Sequence, residues 1–90
     1  MKTKTSQIYD ILDRQGYILD NQAVKIFGEK KLYNVGEYVR RWKRLQADRA
    51  FFEGKKIVEK KAMTRKHLVR LDGDQHYYQV GKEFFEEIKI

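Results

Sequence analysis

The chain contains no cysteine and no proline among its 90 residues. Without cysteine there is neither a disulfide framework nor a thiolate metal site. Without proline, the punctuation of the chain falls to glycine, at positions 16, 28, 36, 54, 73 and 81. No apolar run approaches the roughly 18 residues that a membrane span needs. The opening, MKTKTSQIYDILD, has a basic start but lacks the apolar core of a signal peptide. A cytoplasmic protein away from the membrane is therefore expected. There is also no glycine-rich phosphate loop and no evident serine–histidine–carboxylate set, so catalysis is not expected. His67, Asp72, Asp74 and His76 can be drawn as a metal cluster. Alternate residues of a strand face opposite ways, however, and no paired histidine spacing supports one, so neither metal nor cofactor is expected.

What the chain does have is a folded composition, 41 % hydrophobic and 13 % aromatic, in a length that suits one domain, 1–90. It also has charge in one place. The net charge is +7, yet residues 40–70 alone carry twelve Lys/Arg against three Asp/Glu. Residues 1–39 are nearly balanced, with six against five, and residues 71–90 are acidic, with two against five. A basic surface serving solubility alone does not require such segregation. A local positive potential of this kind points to an anionic polymer as partner.

Periodicity places the elements. Ile8, Ile11, Leu12 and Gln15 form one helical stripe over about 6–15, capped by Thr5 or Ser6 and closed by Gly16. After the short extended piece Tyr17-Ile18-Leu19, a second helix over about 21–27 buries Ala23, Ile26 and Phe27 and stops at Gly28. A third helix over about 34–52 opens with Asn34 and Glu37 in capping-box spacing. Its apolar face is Val35, Tyr38, Val39, Trp42 and Leu45; Arg40 and Arg44 fall almost opposite, flanked by Arg41 and Lys43. Residues 55–65 suit a helical turn and a strand about equally. Lys66–Leu71 and Gln75–Val80, around Asp72-Gly73-Asp74, predict a hairpin over about 66–80. Phe84, Phe85 and Ile88 predict a short amphipathic helix over about 82–89, which either closes the core or makes a homodimer contact. The expected fold is mainly α with a small β-hairpin, in the order of a winged helix-turn-helix.

A helix-turn-helix reads duplex DNA by laying its second helix in the major groove, about 12 Å wide, with long donors projecting outward. Arg40, Arg41, Lys43 and Arg44 meet that need, because guanidinium groups bond phosphates bidentately or fork onto guanine. The plainer alternative is a solvated helix face, interrupted only by Glu37 and Asp48. Lys30 and Lys31, in the turn before the third helix, and the Tyr33 hydroxyl are candidate phosphate clamps. Lys55, Lys56, Lys60, Lys61, Arg65 and Lys66 either extend a track along the backbone or form a charged connector. The hairpin tip, with Asp72 and Asp74, would repel phosphates, so either Lys66 and Arg70 touch DNA from its flanks or the hairpin serves another purpose, structural or as a protein contact. Tyr77 and Tyr78, on opposite strand faces, leave room for one stacking ring and hence for a single-strand or RNA reading.

Ile8 to Asp48 resembles the DNA-binding domain of the plasmid KfrA type and related small helix-turn-helix proteins of phages and plasmids. The carrying residues are Gln15-Gly16, Ala23-Val24, Phe27-Gly28 with Lys30-Lys31, and Val39-Arg40-Arg41-Trp42-Lys43. The turn Gly28-Glu29-Lys30-Lys31 departs from the family's glycine- and serine-rich turn, and a hairpin stands where that family continues into a coiled coil. The resemblance implies double-stranded DNA binding, often at operator repeats and as a dimer, in transcriptional or replicative control of mobile-element DNA. Two competing classes remain open. One is a phage-encoded inhibitor of helix-turn-helix fold whose partner is a host protein, which the acidic tip and apolar tail favour. The other is an RNA-binding module.

Overall fold

The structure, a computed structural model, describes residues 3–29 and 34–90. The described residues form four α-helices and one three-stranded antiparallel sheet, a mixed α/β arrangement. They divide into two compact units, residues 1–43 and 44–90.

The first unit holds α1 (Lys4–Gln15), α2 (Asp20–Phe27) and the opening of α3 (Val35–Phe52). Helix α1 starts two residues before its expected beginning, because Thr3 is the cap: its hydroxyl accepts the Ser6 N–H at 3.0 Å. Gly16 ends it in the left-handed conformation (φ 80°), which brings its N–H to the Leu12 carbonyl at 2.8 Å. Helix α2 also begins one residue early. Leu19 has no side-chain acceptor, and the Gln22 side chain compensates by taking the Leu19 N–H at 2.9 Å. Ile8, Leu12 and Ala23 are buried. The expected inner face of α3 is half-buried at Val35, Tyr38, Val39 and Trp42. Tyr38 stacks on Phe27 with ring centroids 5.2 Å apart, and the Trp42 indole donates to the Asp13 carboxylate at 2.8 Å.

The second unit holds the rest of α3, strands β1 (Ile57–Met63), β2 (Lys66–Leu71) and β3 (Tyr78–Val80), and α4 (Lys82–Glu87). Here the expected hairpin over about 66–80 forms as β2–β3, and a third strand joins it. Residues 57–63 are a strand, opened by β-branched Ile57 and Val58, and β2 lies at the centre of the sheet in the order β1-β2-β3. The hairpin that directly follows α3 is therefore β1–β2, closed at Thr64-Arg65 where Met63 pairs with Lys66. The Asp-Gly turn forms, with the Asp74 N–H on the Leu71 carbonyl at 3.1 Å, but the chain rejoins the sheet only at Tyr78. Arg70 holds that intervening loop, donating to the Asp74 carbonyl at 3.0 Å.

Cross-strand partners share a face. One face carries Ala62, His67, Val69, Tyr78 and Val80, and Val69 and Val80 are its buried centre. There Phe52 stacks on Phe84 at 5.4 Å and meets Tyr78 edge-on at 5.9 Å, so α4 uses its apolar side to close this core. The other face carries Glu59, Lys61, Met63, Lys66, Leu68, Arg70 and Gln79.

Two carboxylates in this unit are held below their ordinary range. The Tyr77 hydroxyl (2.8 Å) and Arg70 Nε (3.0 Å) both donate to Glu59, and Arg49 donates to Glu87 at 2.9 Å. A carboxylate whose pKa is lowered by folding stabilises the native state above its unfolded value, and that contribution disappears as the pH falls through the folded value. The melting temperature is thus expected to fall below pH 4.5, the ordinary value of both groups. In Glu59→Gln/Glu87→Gln the fall should be shallower, which a thermal melt at successive pH values checks. Both pairs are largely solvated, so the effect is modest.

Candidate nucleic-acid interface

The basic residues singled out by sequence fall into three groups. Lys30, Lys31 and Tyr33 lie outside the described residues. Arg40, Arg41 and Lys43 sit on exposed positions of α3 within the first unit. Arg44, Lys66 and Arg70 belong to the second.

The arrangement on α3 follows from its 3.6-residue repeat. With Tyr38, Val39 and Trp42 turned inward, Arg40 projects away from them, and Arg41 and Lys43 stand on either flank. Arg40 and Lys43 make no ion pair among the described residues. Arg41 donates to Glu37 one turn earlier at 2.7 Å, and its guanidinium lies 5.5 Å from the Tyr38 ring centre. With both partners of that pair half exposed, the bridge is worth no more than about 1 kcal/mol and is readily exchanged for a phosphate. Glu37 is the sole acidic residue of α3 within this unit.

Arg44 is differently placed. Its Nε donates to both oxygens of Asp48 at 3.1 and 3.3 Å, and its Nη2 to the Gln79 carbonyl at 3.0 Å. Asp48, read by sequence as an interruption of the outer arginine face, is buried instead, with 7 % exposure. It stands three residues after Leu45 and four before Phe52, so it continues the inward stripe. Its burial is possible because both oxygens are satisfied: besides Arg44, the Gly81 N–H donates to it at 2.8 Å. Gly81 makes this contact close, since a Cβ there would lie 3.0 Å from Arg44 Cγ and 3.3 Å from the Asp48 carboxylate, and the Arg44 side chain would have to give by a few tenths of an ångström. Sequence pattern alone missed this cluster. The only signal is an acidic residue at an i, i+3 core position with an arginine one turn before it.

Arg70 is likewise engaged, between Glu59 and the 72–77 loop. Lys66 begins β2 on the open sheet face, exposed. Of the wider 55–66 track, Lys55 lies over the Phe51 ring at 3.8 Å. Lys60 caps α4, donating to the Phe85 and Ile88 carbonyls at 3.0 Å each. His67 packs its ring against Phe85 at 5.0 Å.

Within the first unit, α1 and α2 also border an open groove with Asp10, Ile11, Arg14, Lys25 and Ile26 on its walls. Among the described residues, no helix is long and apolar enough to cross a membrane. No family model, curated protein or solved structure matches the chain.

Proposed function

We propose that this protein binds double-stranded DNA as a winged helix-turn-helix, with Arg40, Arg41 and Lys43 of α3 as the contacting set. The observation that carries the reading is the two-sided first half of α3. Its aromatic inner side is anchored by Phe27 and Asp13, and three exposed cations stand on its outer side. A helix with outward guanidinium and ammonium groups fits the major groove and its flanking phosphates. The element order supports the same type, with a β-hairpin directly after the third helix. Arg44, tied to Asp48, serves folding in this reading and leaves the contacting set.

A competing reading, binding of a host protein, has a specific observation behind it. Tyr17 and Leu19, between α1 and α2, are 56 % and 52 % exposed. The two are separated by titrating labelled duplex DNA, single-stranded DNA and duplex RNA of one sequence. Duplex DNA is expected to bind at least about tenfold tighter than the other two, since only its major groove admits the helix. Equal or tighter binding of single strands or RNA would replace the duplex reading, and no binding of any nucleic acid would leave the protein-partner reading standing.

A further inference from the structure

We infer that Glu37 determines base specificity, its carboxylate accepting a hydrogen bond from the exocyclic amino group of a cytosine in the major groove. Gly36, beside it, leaves the start of α3 room to approach that edge. The inference rests on the duplex-DNA reading above and deepens it, by naming a base that the same helix selects.

An acid is out of place on a face that meets phosphates. At about 100° per residue, Glu37 stands between Arg40 and Arg41 around the helix, about 60° from the first and about 40° from the second. Its side chain is half exposed, and its carboxylate accepts from Arg41 at 2.7 Å. Once Arg41 turns to a phosphate, Glu37 keeps its charge and loses that partner. Pressed against a polyanion, such a carboxylate repels the phosphates unless the duplex supplies it with a donor. The base edges of the major groove offer two donors, the amino groups of cytosine and adenine. Adenine sets its N7 acceptor beside that amino group, which opposes a carboxylate, whereas cytosine carries no acceptor on this edge. Cytosine is the base that fits.

Gly36 points the same way on separate grounds. It is exposed, about 40° from Arg40 on the side away from Glu37. Its φ lies outside the left-handed region, and a Cβ there would meet nothing within 4 Å among the described residues. Neither backbone conformation nor packing calls for glycine, and glycine weakens a helix relative to alanine. What the missing side chain does serve is close approach of the backbone to a ligand. The first turn of α3 thus presents bare backbone beside a single acceptor, at the end from which a recognition helix reads base edges. The plainer role of Glu37, an acid facing the positive start of the helix dipole, moves stability and leaves base preference untouched.

The test selects bound duplexes from a randomised library with the full chain, then measures affinity for the selected site and its single-base variants. Wild type is expected to favour cytosine at one position about tenfold over each other base. Glu37→Gln keeps a residue suited to the helix start, so the fold is retained. It should exchange the cytosine preference for adenine, whose N6 and N7 an amide pairs with together. Glu37→Ala should lose the preference at that position alone and bind unselected duplex at least as tightly as wild type. Gly36→Ala should melt higher and yet bind the selected duplex more weakly. Base preferences that are the same in wild type, Glu37→Gln and Glu37→Ala would overturn the inference. So would a Glu37-dependent preference for any base but cytosine, or unweakened binding by Gly36→Ala. If Arg40→Ala/Arg41→Ala/Lys43→Ala still lost binding in those cases, the duplex-DNA reading would stand without it. A wild-type chain that ignored duplex DNA would overturn both.

Discussion

Arg40→Ala/Arg41→Ala/Lys43→Ala is expected to bind duplex DNA about 100-fold more weakly than wild type near physiological salt, with an unchanged fold. The size follows from three contacts of about 1 kcal/mol each, and 1.4 kcal/mol is tenfold in affinity. The fold should persist because all three positions are exposed and Arg41 gives up only a surface pair with Glu37. Fluorescence anisotropy gives the affinity, and a thermal melt of the same sample gives the stability. Arg44→Ala should behave in the opposite way. It removes the cation that neutralises buried Asp48 and a donor to the Gln79 carbonyl, so its signature is a lowered melting temperature. The contrast between neighbouring arginines on one helix separates a DNA contact from a folding contact.

The second large effect belongs to the aromatic core of residues 44–90. Phe52→Ala should destabilise the protein by about 3–5 kcal/mol, the range for deleting a buried phenylalanine. Phe52 is 7 % exposed and touches Phe84, Tyr78 and Phe51, so little can move in to fill the space. Proteins of this size hold only about 5–15 kcal/mol in total, and each kcal/mol shifts the melting temperature by about 4–8 °C. A fall of roughly 12–40 °C is expected. Its neighbour provides the control. Phe51 is 49 % exposed, with Lys55 across its face, and Phe51→Ala should cost about 1 kcal/mol or less. Similar losses at the two positions would mean that the Phe52–Phe84 stack does not organise this core.

The helices were legible in the sequence because their apolar stripes are periodic and Gly16 and Gly28 close two of them. Their starts were less so. Thr3 caps α1 in competition with Thr5 and Ser6, and the start of α2 is completed by Gln22, a side chain three residues inside the helix. Strand β1 was hidden for a physical reason. Ile57-Val58 favours a strand, but Glu59-Lys60-Lys61 has no apolar alternation, because Lys60 spends its charge on α4 carbonyls. Its turn at Thr64-Arg65 also lacks the Asn-Gly or Asp-Gly signal that Asp72-Gly73 displays so plainly. The acidic Asp72–Asp74 segment closes the other end of β2, and the hairpin that follows α3 ends in Arg65 and Lys66. On the helix itself, sequence placed Arg40, Arg41 and Lys43 correctly on an exposed face. It could not separate Arg44 from them, because the partner that claims Arg44 is a buried aspartate one turn later.

The measurement that bears most directly on duplex-DNA binding is the affinity of the wild-type chain for a duplex across a salt series. Cations that displace condensed counterions give a linear log–log plot, with a slope of about −0.9 for each phosphate neutralised. Contact through the three cations of α3 calls for a slope of about −3. Affinity that does not change between about 50 and 200 mM salt, or no duplex binding at the lower value, would contradict it.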